Sequence, residues 1–400
     1  GKNATAGLIS IVNRKPEIGV DEGAINIEYG SYNELNIDGV ANVALGEKAA
    51  LRVTGWRYGH DGFIFGPDGQ MYGQKNSYGV RAGLALEPTP DLSITLIGQF
   101  DGRDERSTAN THRLFTGTTP FGLIVEDWAR SRGIVPGPEN LQGEFYARPY
   151  AQSENYYLTG LIDWDIGSGY VVSSATSYRS VETRGQMDPF TTSSPLLHLE
   201  RLANDETYDQ FTQELRIASP TDRPLSFVAG LFYYQFDVTD VQNQEFFGLV
   251  QPGISQFYRI NTVTDKLRNI AAFGELTFNV TPSLRLIGGL RVSNDRTSAS
   301  FNRERVGTDV GVIPPNVAPF SYTPDEIDYD AVSYRLGAQF DIAPDVMLYA
   351  TASRGYKGPG FNLTQSINPG AIVNDARVDP EIAHSYEIGI KSQFFDRRLT

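Results

Sequence analysis

Apolar and polar residues alternate with a period of two along almost the whole of this 400-residue chain. Between Ala331 and Ile342 one parity reads Val332, Tyr334, Leu336, Ala338, Phe340 and Ile342, while the other holds Ser333, Arg335, Gln339 and Asp341. That spacing predicts a β-strand with one apolar face. The same split recurs at Tyr78, Val80, Ala82, Leu84 and Leu86, and again at Ile270, Ala272, Leu276, Phe278 and Val280. Near the end Tyr386, Ile388, Ile390 and Phe394 oppose Glu387, Lys391 and Gln393. Leu225 to Val238 is the weakest stretch, because it carries aromatics on both parities.

The connections are of two kinds. Tight proline-centred turns recur at Thr89-Pro90-Asp91-Leu92, Thr281-Pro282-Ser283-Leu284 and Ala343-Pro344-Asp345-Val346. Proline presets φ there, and Asp or Ser supplies a local hydrogen bond. Leu45 to Lys48, Gly167 to Gly169 and Pro220 to Arg223 read as turns of the same set. Between them lie long, polar, irregular connections: Arg103 to Gln152, Val181 to Glu206, Thr239 to Asp265, Thr297 to Tyr329 and Gly355 to Pro380. Short turn and long loop thus alternate along a hairpin array, the layout of an outer-membrane barrel. About fourteen strands fit between Gly23 and Phe395, each near membrane-spanning length. Periodicity alone leaves a soluble sandwich open, since its apolar face would be buried against a second sheet. Loop asymmetry and the lack of any helical pattern favour the membrane.

Composition changes the picture in three ways. No apolar run reaches the roughly 18 residues of a spanning helix, and the mean hydropathy is −0.30, yet a barrel hides its apolar residues at alternate positions. The chain has 21 Tyr, 22 Phe, 40 Gly and no Cys, which suits extended structure with interfacial aromatics and excludes disulfides and thiolate metal sites. A net charge of −14 argues against a nucleic-acid partner.

Gly1 to Pro16 (GKNATAGLISIVNRKP) resembles the end of the plug domain in TonB-dependent outer-membrane receptors. Ile27 to Asn33 looks like that family's first barrel hairpin, and Leu51-Arg52-Val53 with Asp61-Gly62-Phe63 fits its third strand and next loop. Tyr349 to Asn362 and Pro380 to Lys391 resemble a late strand with its external loop and the strand that follows. The resemblance implies an all-β fold: part of a transmembrane antiparallel β-barrel, about 14 of an expected 22 strands, with a remnant of the plug. Residues 1–20 would end the plug and residues 21–400 would form the N-terminal portion of the barrel.

The implied function is uptake of a scarce nutrient across the outer membrane of a Gram-negative bacterium. A ferric siderophore is the first expectation, with cobalamin or a saccharide as others, and TonB and outer-membrane lipid are the implied partners. Arg184, Tyr356, Lys357 and Phe361 lie in predicted loops where cationic and aromatic groups would meet an anionic or aryl ligand. No catalytic residue, cofactor or metal site is expected. His60, His112, His198 and His384 are widely separated and lack metal-ligand spacing. A passive porin and a soluble β-rich binding protein are the rival readings. The TonB box, most of the plug and the last strands are not recognisable in this sequence. On this reading the 400 residues expressed alone should aggregate in detergent and mediate no uptake, because edge strands cannot satisfy their backbone in lipid. A monodisperse, heat-resistant species on size-exclusion chromatography would favour the porin instead.

Overall fold

The protein is described by a computed structural model covering residues 12–66, 69–106, 110–114, 120–143, 145, 148–187, 201–246, 257–306, 318–363 and 376–393. Among the described residues, fourteen strands form one antiparallel wall in chain order. They are β1 (Glu22–Gly30), β2 (Glu34–Ala44), β3 (Ala49–His60), β4 (Lys75–Thr89), β5 (Leu92–Glu105), β6 (Tyr150–Asp165) and β7 (Val171–Met187). After them come β8 (Arg201–Ala218), β9 (Leu225–Phe246), β10 (Phe257–Thr281), β11 (Leu284–Val306), β12 (Ile327–Ala343), β13 (Val346–Lys357) and β14 (Glu381–Ser392). Each strand pairs with the next, β1 and β14 are the two ends of the path, and a short segment, Phe320–Tyr322, adds to β11. All six predicted tight turns fall between consecutive strands at one end of the wall. The three proline turns close on the equivalent pairs Thr89–Leu92, Thr281–Leu284 and Ala343–Val346.

Register decides the faces. Leu84 lies opposite Leu96, Ile94 opposite Ile162, Leu215 opposite Leu231, Phe278 opposite Leu286, Val292 opposite Val332, and Leu348 opposite both Phe340 and Ile390. These pairs make one continuous apolar belt, and most of its members are solvent-exposed in the chain alone, up to 86% at Ile388. The opposite parity is polar and knitted across strands. Arg285 grips both oxygens of Asp341 at 2.8 and 2.9 Å and reaches Gln339; Arg81 donates to Gln99, which donates to Asp101, which also accepts from Asn155. Val332, Leu336, Phe340, Ile388 and Ile390 therefore share the apolar face, and Arg335, Gln339 and Lys391 the polar one. Among the described residues no helix is long and apolar enough to cross a membrane.

Residues 12–21 add no strand to the wall. Pro16 is buried on the polar face against Gly83, in keeping with a segment that lies inside the sheet; the stretch Leu8 to Ile11 is outside the described residues. Two expectations need correction. The strands run much further than the alternation suggested: β10 has 25 residues and β11 has 23, so much of the predicted loops Thr239 to Asp265 and Thr297 to Tyr329 is ladder. Backbone pairing does not require apolar side chains once the strand has left the lipid. Secondly, the connection after β5 contains a helix, α1 (Pro120–Ser131). Proline suits its first position, and Glu126 and Arg130 pair at 2.7 Å one turn apart. Gly133, at φ +78, ends it in a Schellman turn, with Gly133 N–H donating to Arg130 O and Ile134 N–H to Ala129 O.

A charge at mid-belt tests the assignment of faces. Leu336→Arg in the full-length protein is expected to destabilise it by about 2–4 kcal/mol, while Gln339→Arg on the polar face should leave the unfolding midpoint near that of wild type. Urea titration in lipid vesicles, followed by tryptophan fluorescence, measures both; equal effects would refute the belt.

Candidate functional site

Above the belt, away from the tight turns, the outer parity turns polar. Asp209, Asp237, Lys266, Arg268, Asn294, Arg296, Asp328 and Asp330 stand where Leu, Phe, Ile and Val stood lower down. The apolar belt has ended there, and the inner parity forms a chamber of buried polar side chains on β8 to β11. Asn261 is 0% and Arg303 1% exposed. Arg303 Nε donates to Asn261 Oδ1 at 2.9 Å, with its guanidinium 5.1 Å from the Phe301 ring. Arg259 Nε donates to Gln244 Oε1 beside them. Burial lowers the pKa of Arg303.

Two carboxylates share the same inner face. Glu206 and Asp240 are direct cross-strand partners. Gln242 donates to Asp240 Oδ2 at 2.5 Å, while Asp240 Oδ1, Gln242 Oε1 and Asn261 Nδ2 are buried with no hydrogen-bond partner in the protein. Burial pushes Asp240 above the usual carboxylate range, and burial together with the Asp240 charge does the same to Glu206. A cavity of about 740 Å³ opens here, lined by Arg103, Met187, Leu202, Glu206, Asp240, Gln242 and Leu363 among others. Phe301 and Ala376, with Val263, Phe320, Tyr322 and Leu363, form a small apolar cluster where the long connections fold over the chamber. The arrangement offers both signs of charge, unmet acceptors and an apolar cover to a small polar molecule.

The four residues singled out from the sequence land in different places. Tyr356 is 1% exposed, and its hydroxyl donates to Asp295 Oδ2 at 2.8 Å; Asn269 supplies a second donor to that carboxylate at 2.6 Å. By parity Tyr356 belongs with Leu348 on the outer face. It reaches the inner Asp295 because β13 leaves the β12 ladder after the Tyr334–Arg354 pair. Lys357 is exposed and pairs with Glu381 at 3.3 Å. Phe361 sits in a two-residue ribbon, Gly360–Phe361 with Arg377–Val378, at the mouth of the loop that follows. Arg184 lies on the outer parity of β7, exposed, 3.5 Å from Asp205. The chamber residues Glu206, Asp240, Gln242, Arg259, Asn261 and Arg303 were missed. Continuing the period of two past the last apolar residue would have found them, since they occupy one parity of strands that merely lost their outer hydrophobics.

The raised carboxyls give a signed pH dependence. A group protonated more readily in the folded state adds stability below its unfolded pKa of about 3.9 and loses it as pH rises through the higher folded value. Asp240→Asn should therefore raise the unfolding midpoint of the full-length protein at pH 7. The gain should vanish near pH 3, where wild type is neutral at that position. Denaturant titration at both values checks this, and a gain that persists at low pH would mean that the ionisation of Asp240 is not the cause.

Residues 91–400 match the family described as TonB dependent receptor-like, beta-barrel. The pesticin receptor of Yersinia pestis is 23% identical over 399 residues, covering 97% of this chain and 52% of its own length. The pesticin receptor of Yersinia enterocolitica is likewise 23% identical over 398 residues. The chain thus spans about half the length of the relatives it matches. Two crystal structures share the fold. The ferric yersiniabactin uptake receptor FyuA from Yersinia pestis has a TM-score of 0.73 at 19% identity, with 98% of this chain and 55% of that one covered. The siderophore receptor PiuA from Acinetobacter baumannii has 0.72 at 14%, with 99% and 58% covered. The open sheet is accordingly part of a barrel wall with its polar face toward the lumen, and the named relatives are receptors rather than enzymes. The chain belongs to the TonB-dependent receptor β-barrel family.

Proposed function

We propose that the longer protein containing this wall is a TonB-energised receptor in the outer membrane of a Gram-negative bacterium, taking up a ferric siderophore. The observation that carries the reading is the match to siderophore and pesticin receptors along nearly the whole chain. The chamber supports it: Arg103 and Arg184, in the lining of its cavity, would meet an anionic chelate, and the unmet oxygens of Asp240 and Gln242 its donors. Lys357 and Phe361 sit where ligand would enter from outside, Arg184 guards the outer rim, and Tyr356 holds the loop base against Asp295. Residues 1–20 are read as the end of the plug and residues 21–400 as barrel.

Tight capture explains the need for an energy source. Nanomolar binding corresponds to about 12 kcal/mol, which a membrane without an ion gradient of its own cannot return for release. Work must arrive through a partner that pulls on the plug. Iron-limited cells carrying the full-length gene should take up radiolabelled ferric siderophore, and the uptake should fall to background when TonB is deleted. Uptake unaffected by that deletion would turn the reading toward a passive porin.

A further inference from the structure

One row of residues crosses the polar face of the first four strands: Glu22 on β1 is the partner of Asn42 on β2, Asn42 of Arg52 on β3, and Arg52 of Gly83 on β4. The segment Arg14 to Val20 lies along this row and touches Glu22, Asn42 and Gly83, while Arg52 is tied to Glu22. Arg14 bridges to Glu22 at 2.9 Å, and Arg52 holds the same carboxylate at 2.7 Å. Asn42, 1% exposed, accepts from Glu17 N–H at 2.9 Å and donates to Glu17 O at 2.8 Å and Val20 O at 2.7 Å. Its amide thereby clasps the turn at Ile18 and Gly19, where Gly19 supplies the φ of +76 that favours glycine. Pro16 is seated on Gly83, where a Cβ would come within 3.1 Å of the proline ring. Asp21 adds a bond from Ala44 N–H at 2.8 Å. All this sits beside the tight turn Leu45 to Lys48.

We infer that Pro16 to Asp21 is a mechanical anchor, clasped by Asn42 and backed by the Arg52–Glu22 ion pair at its end, that stops extraction of the plug before the first wall strand bears load. The inference rests on the reading of residues 1–20 as the end of a plug that is pulled. The reason is geometric. Without the anchor, tension on the N-terminal chain would pass directly to Glu22 and peel β1 from β2 one residue at a time. With it, the load meets the Arg14–Glu22 ion pair on β1, the buried Asn42 amide bonds on β2 and the seat of Pro16 on Gly83 of β4 together, and these must break at once. Asn42 is thus a positioning residue: it touches no ligand, and sets how much chain is released.

Pulling the full-length receptor from its N-terminus in lipid vesicles, by single-molecule force spectroscopy, tests this without any need for TonB. After the plug is drawn out, wild type should show one separate release of about 20 Å, the length of six residues at roughly 3.4 Å each, before the wall yields. Asn42→Ala should abolish that step, its length merging with the plug's, while the barrel keeps its heat-resistant mobility on gels. Arg52→Met should weaken the same step, and carries the test if Asn42→Ala does not fold. A wild-type trace without the step, or a step that survives whichever substitution folds, overturns the anchor. Siderophore uptake by the same wild-type strain reports separately on the transport reading.

Discussion

Inside a bilayer no water is present to satisfy a backbone N–H or C=O, and every such group must find its partner within the protein. In this chain that requirement shapes one unbroken antiparallel ladder, in which every wall strand between the two end strands bonds the strand before and the strand after it. Antiparallel neighbours need only a few residues to reverse direction, so the six tight turns gather at one end and the long connections at the other. The pleat then does the sorting. Successive side chains point to opposite faces, so a ladder with lipid on one side and water on the other must alternate. The apolar belt and the polar lumen are two consequences of the same pairing.

Where the wall rises out of the lipid, the ladder persists and the rule for side chains is relaxed. The outer parity becomes charged on β9 to β12, while the inner parity buries Arg303, Arg259, Asn261 and Asp295 more deeply than any residue of the belt. Burying charges is costly unless they are paired and hydrogen-bonded. Here the cations lean on neutral amides and on a ring, and the carboxylates Glu206 and Asp240 stand side by side with their pKa values raised. Such a chamber is poorly optimised for stability. Polar groups held at the ready are what binding a polar ligand calls for.

The lumen side of the first strands shows the same pairing put to a different use. Since neighbouring strands are in register, residues far apart in sequence, such as Glu22, Asn42, Arg52 and Gly83, fall into a row to which an incoming segment can be fastened. A glycine in that row leaves the space a proline fills. The fastening is strong because it is shared among strands that are themselves held along their whole length.

Much of this was legible from the chain alone. The alternation from Val332 to Ile342, the proline turns at Pro90, Pro282 and Pro344, and the loop asymmetry determined the number of wall strands, their order and which parity would meet lipid. Hydrophobic periodicity is a record of lipid contact, however, and falls silent where lipid ends. The upper halves of β9, β10 and β11, and the chamber they carry, therefore read as loop. The helix Pro120–Ser131 lies in a long connection that reads as irregular, although its proline and Gly133 stand at its two ends. Only the tertiary structure decided that Tyr356 turns inward to Asp295, because parity holds only while a strand stays in its ladder. It alone also decided that Asn42 clasps Glu17 and Val20. Local sequence encodes period and turn; which distant residues share a row depends on the register of strands, set by the whole wall at once.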